Sequence, residues 1–127
     1  MFNDIQTVVI LGSGGTLGSL TGGIIAQTGR KVYFLSRTIE SAKKGLEKAK
    51  KQARSDVIEE NVICGDYESL LERAVCEADW VLECVSEDMA IKKQIYKLVD
   101  QYLNDSTVVS SVTSSLPLAQ LPVGLSD

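Results

Sequence analysis

Thr7-Val8-Val9-Ile10-Leu11-Gly12-Ser13-Gly14-Gly15-Thr16-Leu17-Gly18 is the stretch that decides how this chain folds. Thr7–Leu11 is a run of β-branched and aliphatic residues that stops at a glycine. Apolarity without alternation suits a central parallel strand buried on both faces. Beyond the glycines, Leu17, Leu20, Ile24 and Ile25 recur at helical spacing, and Gly29 offers a helix stop. A strand that passes through a glycine-rich turn straight into a helix presents free backbone N–H groups, no obstructing Cβ and the positive end of a helix dipole. A pyrophosphate needs all three. Gly12, Ser13, Gly14, Gly15, Thr16 and Leu17 are therefore candidate binding residues. The spacing departs from GxGxxG, because pairing Gly12 with Gly14 leaves one residue too many before Gly18. A tight structural turn without a ligand is the alternative.

The pattern continues outward from this unit. Lys31–Leu35 reads as a second strand, followed by a helix from Ile39 to about Arg54 with Ile39, Ala42, Leu46 and Ala49 on one face. Asn61–Cys64 reads as a short third strand, and Asp66 is placed to cap a helix running through Ala74. Asp79–Val85 is a fourth strand, apolar except for Glu83. Ile91, Ile95, Leu98, Val99 and Tyr102 trace a further helical stripe, and Thr107–Val112 is a fifth strand. Alternating strands and helices imply right-handed crossovers and a parallel sheet covered on both faces. The expected fold is α/β: a doubly wound, Rossmann-type sheet of order 3-2-1-4-5, with its ligand at the carboxyl ends of strands 1 and 4.

Composition narrows the function. The 127 residues suit one domain, and a hydrophobic fraction of 44% suits a packed core. A net charge of −4 argues against nucleic acid as a partner. No apolar run is long enough to span a bilayer, and the first ten residues do not read as a secretory signal. Cys64, Cys76 and Cys84 lack a metal-ligand spacing and read as reduced thiols of a cytoplasmic protein. No metal site is expected. With no histidine in the chain, any histidine-based proton transfer must come from elsewhere. The lysine-rich segment Lys43, Lys44, Lys48, Lys50, Lys51 and Arg54, interleaved with Glu40 and Glu47, reads as a solvated outer face. Attraction of ligand phosphates is the other reading.

The second strand ends Leu35-Ser36-Arg37-Thr38, with no acid before Glu40. NAD-selective domains carry an acid there to hold the ribose hydroxyls. A hydroxyl followed by a guanidinium suits a 2′-phosphate instead. Ser36 and Arg37 therefore lean the cofactor toward NADP over NAD, although Arg37 stacked on adenine or lying in solvent is the simpler alternative.

From Ala78 the chain runs ADWVLECVSEDMAIKKQIYKLVDQYL and then STVVSSVTSSL from Ser106. This resembles the N-terminal domain of the 3-hydroxyacyl-CoA dehydrogenases, within the 6-phosphogluconate-dehydrogenase-like Rossmann superfamily. That family shows E-A-V-x-E at a strand end, a lysine five residues past the second Glu, a helix, and A-S-N-T-S-S-L. Thr16-Leu17-Gly18-Ser19 is likewise similar to the family's TMGS. The resemblance implies that Val85, Ser86 and Glu87 lie along the nicotinamide ribose and that Lys92 reaches the same region. It also implies that Ser114 helps position the substrate's reacting oxygen. An ordinary ion pair on the helix surface is the alternative for Glu87 and Lys92, and holding the strand end is the alternative for Glu83.

Three departures stand out. Val112 replaces the motif's asparagine. One helix replaces the long hairpin that contacts CoA between strands 2 and 3. The catalytic histidine of the family has no counterpart. Residues 1–127 are thus expected to be the dinucleotide-binding domain of a longer NAD(P)-dependent dehydrogenase, inactive alone, whose C-terminal catalytic domain is absent. The expected substrate is a small molecule or acyl-CoA of the 3-hydroxyacyl or 3-hydroxy-acid kind. A short-chain 3-hydroxy-acid dehydrogenase or related NADP-dependent reductase is the second reading, and a stand-alone nucleotide-sensing module the third.

Overall fold

The structure is a computed structural model and describes residues 5–53, 58–84 and 89–111. Its elements are β1 (Thr7–Leu11), α1 (Thr16–Gln27), β2 (Lys31–Ser36), α2 (Ile39–Ala53) and α3 (Ile58–Asn61). They continue with β3 (Val62–Asp66), α4 (Tyr67–Glu77), β4 (Trp80–Glu83), α5 (Met89–Tyr102) and β5 (Val108–Ser111). The five strands pair in parallel in the order β3-β2-β1-β4-β5, as the sequence pattern anticipates.

Alternation along each strand feeds two cores. Val9 and Leu11 join Tyr33, Leu35 and Val81 beneath Leu71, Val75, Ile95 and Val99 of α4 and α5. Val8 and Ile10 face the other way, joining Val32, Phe34 and Leu82 against Ala26, Ala42, Leu46 and Ala49 of α1 and α2. The Asp79 carboxylate ties the open end of the sheet, accepting from the N–H groups of Gln6 (2.8 Å) and Thr7 (3.0 Å). The expected Asp66 cap is present, its side chain accepting from Ser69 N–H at 2.7 Å.

Helix α1 departs from the sequence reading. The stripe Leu17, Leu20, Ile24, Ile25 does not form its buried face: Leu17 is 52% exposed and Ile24 66%. Gly18, Ser19, Gly22, Gly23 and Ala26 lie inward instead. The reason is close approach. A Cβ on Gly22 would come within 2.5 Å of the buried Phe34 ring, and one on Gly23 within 2.9 Å of Ala49 Cβ. Small residues let the helix sit directly on its neighbours, and hydropathy gives glycines no weight. Ile39, placed on the inner face of α2 by its spacing, is also partly exposed, at 38%. The single-turn α3 was not anticipated, and β3 runs on to Asp66, two residues beyond Cys64. Among the described residues no helix is long and apolar enough to cross a membrane.

Candidate functional site

The winding of the sheet reverses between β1 and β4, where Leu11 pairs in register with Glu83. Chains that leave adjacent strands in opposite directions open a crevice at their carboxyl ends, and the glycine turn lies at its rim. The surplus residue of the turn is absorbed as a bulge. The N–H groups of Gly12 and Ser13 both donate to the Leu35 carbonyl, at 2.9 and 3.0 Å, and Gly12 takes the positive φ of 81° that this requires. Counting back from Gly18, the standard spacing then falls on Gly15. A Cβ on Gly18 would lie 2.5 Å from the Gly12 carbonyl oxygen, which is the close helix–strand packing expected of the motif's last glycine.

These details redistribute roles within the turn. Ser13 is fully buried and its hydroxyl also donates to the Leu35 carbonyl (3.2 Å), so neither Gly12 nor Ser13 offers a free N–H to a ligand. The space beside Gly14 is filled by Ser41, and its carbonyl accepts from Lys48 Nζ at 2.9 Å. Gly15 is exposed, stands as the N-cap of α1 with φ −79°, and provides no side-chain cap. The first intrahelical bond runs from Ser19 N–H to the Gly15 carbonyl, which leaves the N–H groups of Thr16, Leu17 and Gly18 without an intrahelical acceptor. No acidic residue occupies this first turn. An open, uncapped helix end without a competing carboxylate fits a pyrophosphate.

At the end of β2, Ser36 is buried and its hydroxyl donates to Ser41 Oγ at 3.0 Å. Arg37 is exposed and has no ion-pair partner among the described residues. Asp66 pairs in register with Ser36, but its carboxylate is drawn back to cap α4.

A buried cluster closes the end of β4. Glu83 Oε1 accepts from Lys92 Nζ (3.2 Å), the Tyr96 hydroxyl (3.1 Å) and the Ser111 hydroxyl (3.0 Å). Glu83 is 1% exposed and Lys92 0%. A solvated helix-surface pair is therefore the wrong description of Lys92, whose partner comes from the sheet. Burial and the Glu83 charge push the Tyr96 phenol above its ordinary range.

Tyr67 lies beside Gly12 and Cys84 beside Leu11, and the sequence reading gave neither a role at the site. Burial pushes the Tyr67 phenol, in the first turn of α4, up to about 12. A hydrogen bond from the Gly12 backbone and the Arg37 charge pull the other way. Burial, aided by Glu83, pushes the Cys84 thiol up to about 12 as well, while its N–H donates to the Leu11 carbonyl at 2.8 Å. Both groups stay neutral near pH 7, so neither is a charged nucleophile. Only the position of Tyr67, just after the third strand, hinted at such a place. Val85, Ser86, Glu87 and Ser114, with the Val112 substitution, lie outside the described residues.

Sheet order, glycine turn and open helix end together define a Rossmann-type dinucleotide-binding domain. The family model of the 3-hydroxyacyl-CoA dehydrogenase NAD-binding domain matches residues 7–127, and the chain belongs to that family. It is 33% identical over 138 residues to a Rickettsia felis protein named for a fatty acid oxidation complex trifunctional enzyme, covering 100% of this chain and 19% of that one. It is 30% identical to the fatty acid oxidation complex subunit alpha of Shewanella putrefaciens, over 92% of this chain and 18% of the relative. The chain thus spans about a fifth of the length of these curated relatives. Among solved structures, the (S)-3-hydroxybutyryl-CoA dehydrogenase of Ralstonia eutropha superposes with a TM-score of 0.80 over 97% of this chain and 46% of that one, at 21% identity. That likeness is one of fold.

Proposed function

We propose that this chain binds a nicotinamide dinucleotide across the carboxyl ends of β1 and β4, and that it serves hydride transfer on a 3-hydroxyacyl or 3-hydroxy-acid substrate within a longer dehydrogenase. The observation that carries this reading is the uncapped α1 terminus behind Gly15 at the reversal of the sheet. When bound, the cofactor supplies the hydride chemistry. The chain's own residues do the rest. The N–H groups of Thr16, Leu17 and Gly18 hold the pyrophosphate. Val85, Ser86 and Glu87 line the nicotinamide ribose, and Ser114 orients the substrate oxygen. With no histidine in these residues, the general base belongs to a further domain. Calorimetric titration of the chain with NADH and NADPH tests the reading, and the absence of binding by either would sink it. The short stretch between β2 and β3, with α2 as its one long helix among the described residues, favours a substrate smaller than a full acyl-CoA as the second reading.

The phosphorylated cofactor is the expected preference. No carboxylate follows Ser36 at the end of β2 to repel a 2′-phosphate, and the adjoining Arg37 is exposed, without an ion-pair partner among the described residues. Because the Ser36 hydroxyl already serves Ser41, the discrimination rests on Arg37. A charged hydrogen bond worth about 1.5 kcal/mol makes NADPH roughly tenfold tighter than NADH, and added salt should narrow the gap. Arg37→Ala should erase the difference by weakening NADPH alone. Equal or tighter binding of NADH by the wild type would return Arg37 to adenine stacking or solvent.

A further inference from the structure

The surplus residue of the glycine turn has a seat, and α2 provides it. Ser41, Gly45 and Lys48 recur at spacings of four and three, which puts them on one face of that helix. All three meet the turn. The Ser41 side chain fills the space beside Gly14, and a Cβ on Gly45 would collide with the Ser13 carbonyl oxygen. Lys48 Nζ donates to the Gly14 carbonyl at 2.9 Å. Gly45 is buried in the interior of a 15-residue helix, where glycine is a poorer helix former than alanine. The room it leaves is taken by the lengthened turn.

The seat also decides which backbone groups the turn shows to a ligand. A trans peptide is planar, with its C=O and N–H pointing opposite ways. Lys48 holds the Gly14 carbonyl toward α2, so the Gly15 N–H of the same peptide points away from that helix and donates to the Gly12 carbonyl at 3.3 Å. The Ser13 carbonyl likewise lies against Gly45. Two oxygens that would repel a phosphate are thus turned onto a neighbouring helix, immediately ahead of the α1 cap at Gly15.

We propose that Ser41, Gly45 and Lys48 are positioning residues of the dinucleotide site, which seat the surplus residue against α2 and hold the Ser13 and Gly14 carbonyl groups off the α1 N-terminus. This rests on the reading that the phosphates bind at that terminus. Lys48 then acts through the turn, neither as a solvated charge nor as a phosphate ligand. Seat and surplus residue form a matched pair, so the seat is needed only while the turn is long.

Shortening the turn separates positioning from direct contact. Deleting Gly14 leaves Gly12-Ser13-Gly15-Thr16-Leu17-Gly18, the standard GxGxxG spacing, and this variant should bind as the wild type does. In the wild-type turn, Gly45→Ala should weaken NADH and NADPH alike by about tenfold and Lys48→Met by about threefold, since each lets a carbonyl swing toward the phosphates. In the shortened turn both substitutions should change affinity by less than about twofold. Losses that persist there overturn the proposal, because Lys48 would then be a phosphate ligand and Gly45 a matter of general packing. Unchanged affinity of both variants in the wild-type turn overturns it too, as does a shortened turn that binds neither cofactor. Thermal melts without cofactor read the seat itself. Gly45→Ala should lower the melting temperature with the wild-type turn, against its better helix propensity, and raise it with the shortened one; a fall in both overturns the seat. Should Gly45→Ala fail to fold, the titrations of Lys48→Met in the two turn lengths decide alone. Absence of binding by the wild type overturns the dinucleotide reading and the positioning role together, while the reversal in the melts would show that the seat exists without them.

Discussion

Replacing Gly15 with valine is expected to weaken dinucleotide binding by about a hundredfold or more while leaving the chain folded. Gly15 caps α1 at φ −79° and ψ 164°, in extended backbone that valine adopts readily. A Cβ there meets nothing closer than the Gly12 carbonyl oxygen at 3.7 Å, an ordinary contact. The folded state should therefore lose only about 1 kcal/mol, the usual cost of a poor N-cap. The added methyl groups would instead stand over the open N–H groups of α1, where the phosphate must approach. Gly14→Val, which looks equivalent in sequence, is a different experiment, because a Cβ at position 14 would collide with the Ser41 side chain and approach its carbonyl oxygen to 3.0 Å. That variant should lose stability through α2 before it reports on binding. Calorimetry and a thermal melt on both variants check the contrast. Unchanged affinity in Gly15→Val would show that the turn is not the phosphate site.

Lys92→Met is expected to cost about 3–5 kcal/mol of folding stability, the largest loss anticipated for any single change in the chain. Exposed pairs such as Lys31–Glu77, 38% and 40% exposed, contribute little because water screens both ends. Glu83 and Lys92 are sealed from solvent, so removing the cation leaves Glu83 to be protonated or to remain charged in the interior, and both are costly. Urea unfolding followed by the fluorescence of Trp80 measures the loss. A shift in the midpoint worth under about 1 kcal/mol would mean that Glu83 finds compensation by relaxing toward water.

The elements most legible in the sequence were those whose hydropathy and backbone chemistry agree. Thr7–Leu11 before a glycine, and the acid Asp66 before Tyr67, declared a buried strand and a capped helix without help from the rest of the fold. Helix α1 was legible as a helix but not in its orientation. Its close contacts are made by Gly18, Gly22 and Gly23, which carry no apolar signal, while Leu17 and Ile24 stand in solvent. The turn itself was recognised and its surplus residue noticed. That Gly12 and Ser13 share one acceptor on β2 could not be read from spacing, because Leu35 becomes their neighbour only when the sheet forms. The same limit explains Lys92. Glu83 is nine residues away in sequence, outside helical reach, and a crossover from β4 to α5 brings them together. Pairings within an element follow from periodicity, whereas pairings between elements wait on the topology.

Backbone amide NMR during an NADPH titration tests most directly whether the N-terminus of α1 holds the dinucleotide phosphates. The largest shifts should fall on Gly15, Thr16, Leu17 and Gly18, with smaller ones at Ser36 and Arg37, while the amides around Gly29, where no ligand is expected, stay still. That placement would be contradicted by saturation that leaves those four amides unmoved, or by shifts concentrated in the groove of Tyr67, Leu71, Leu98 and Tyr102 between α4 and α5.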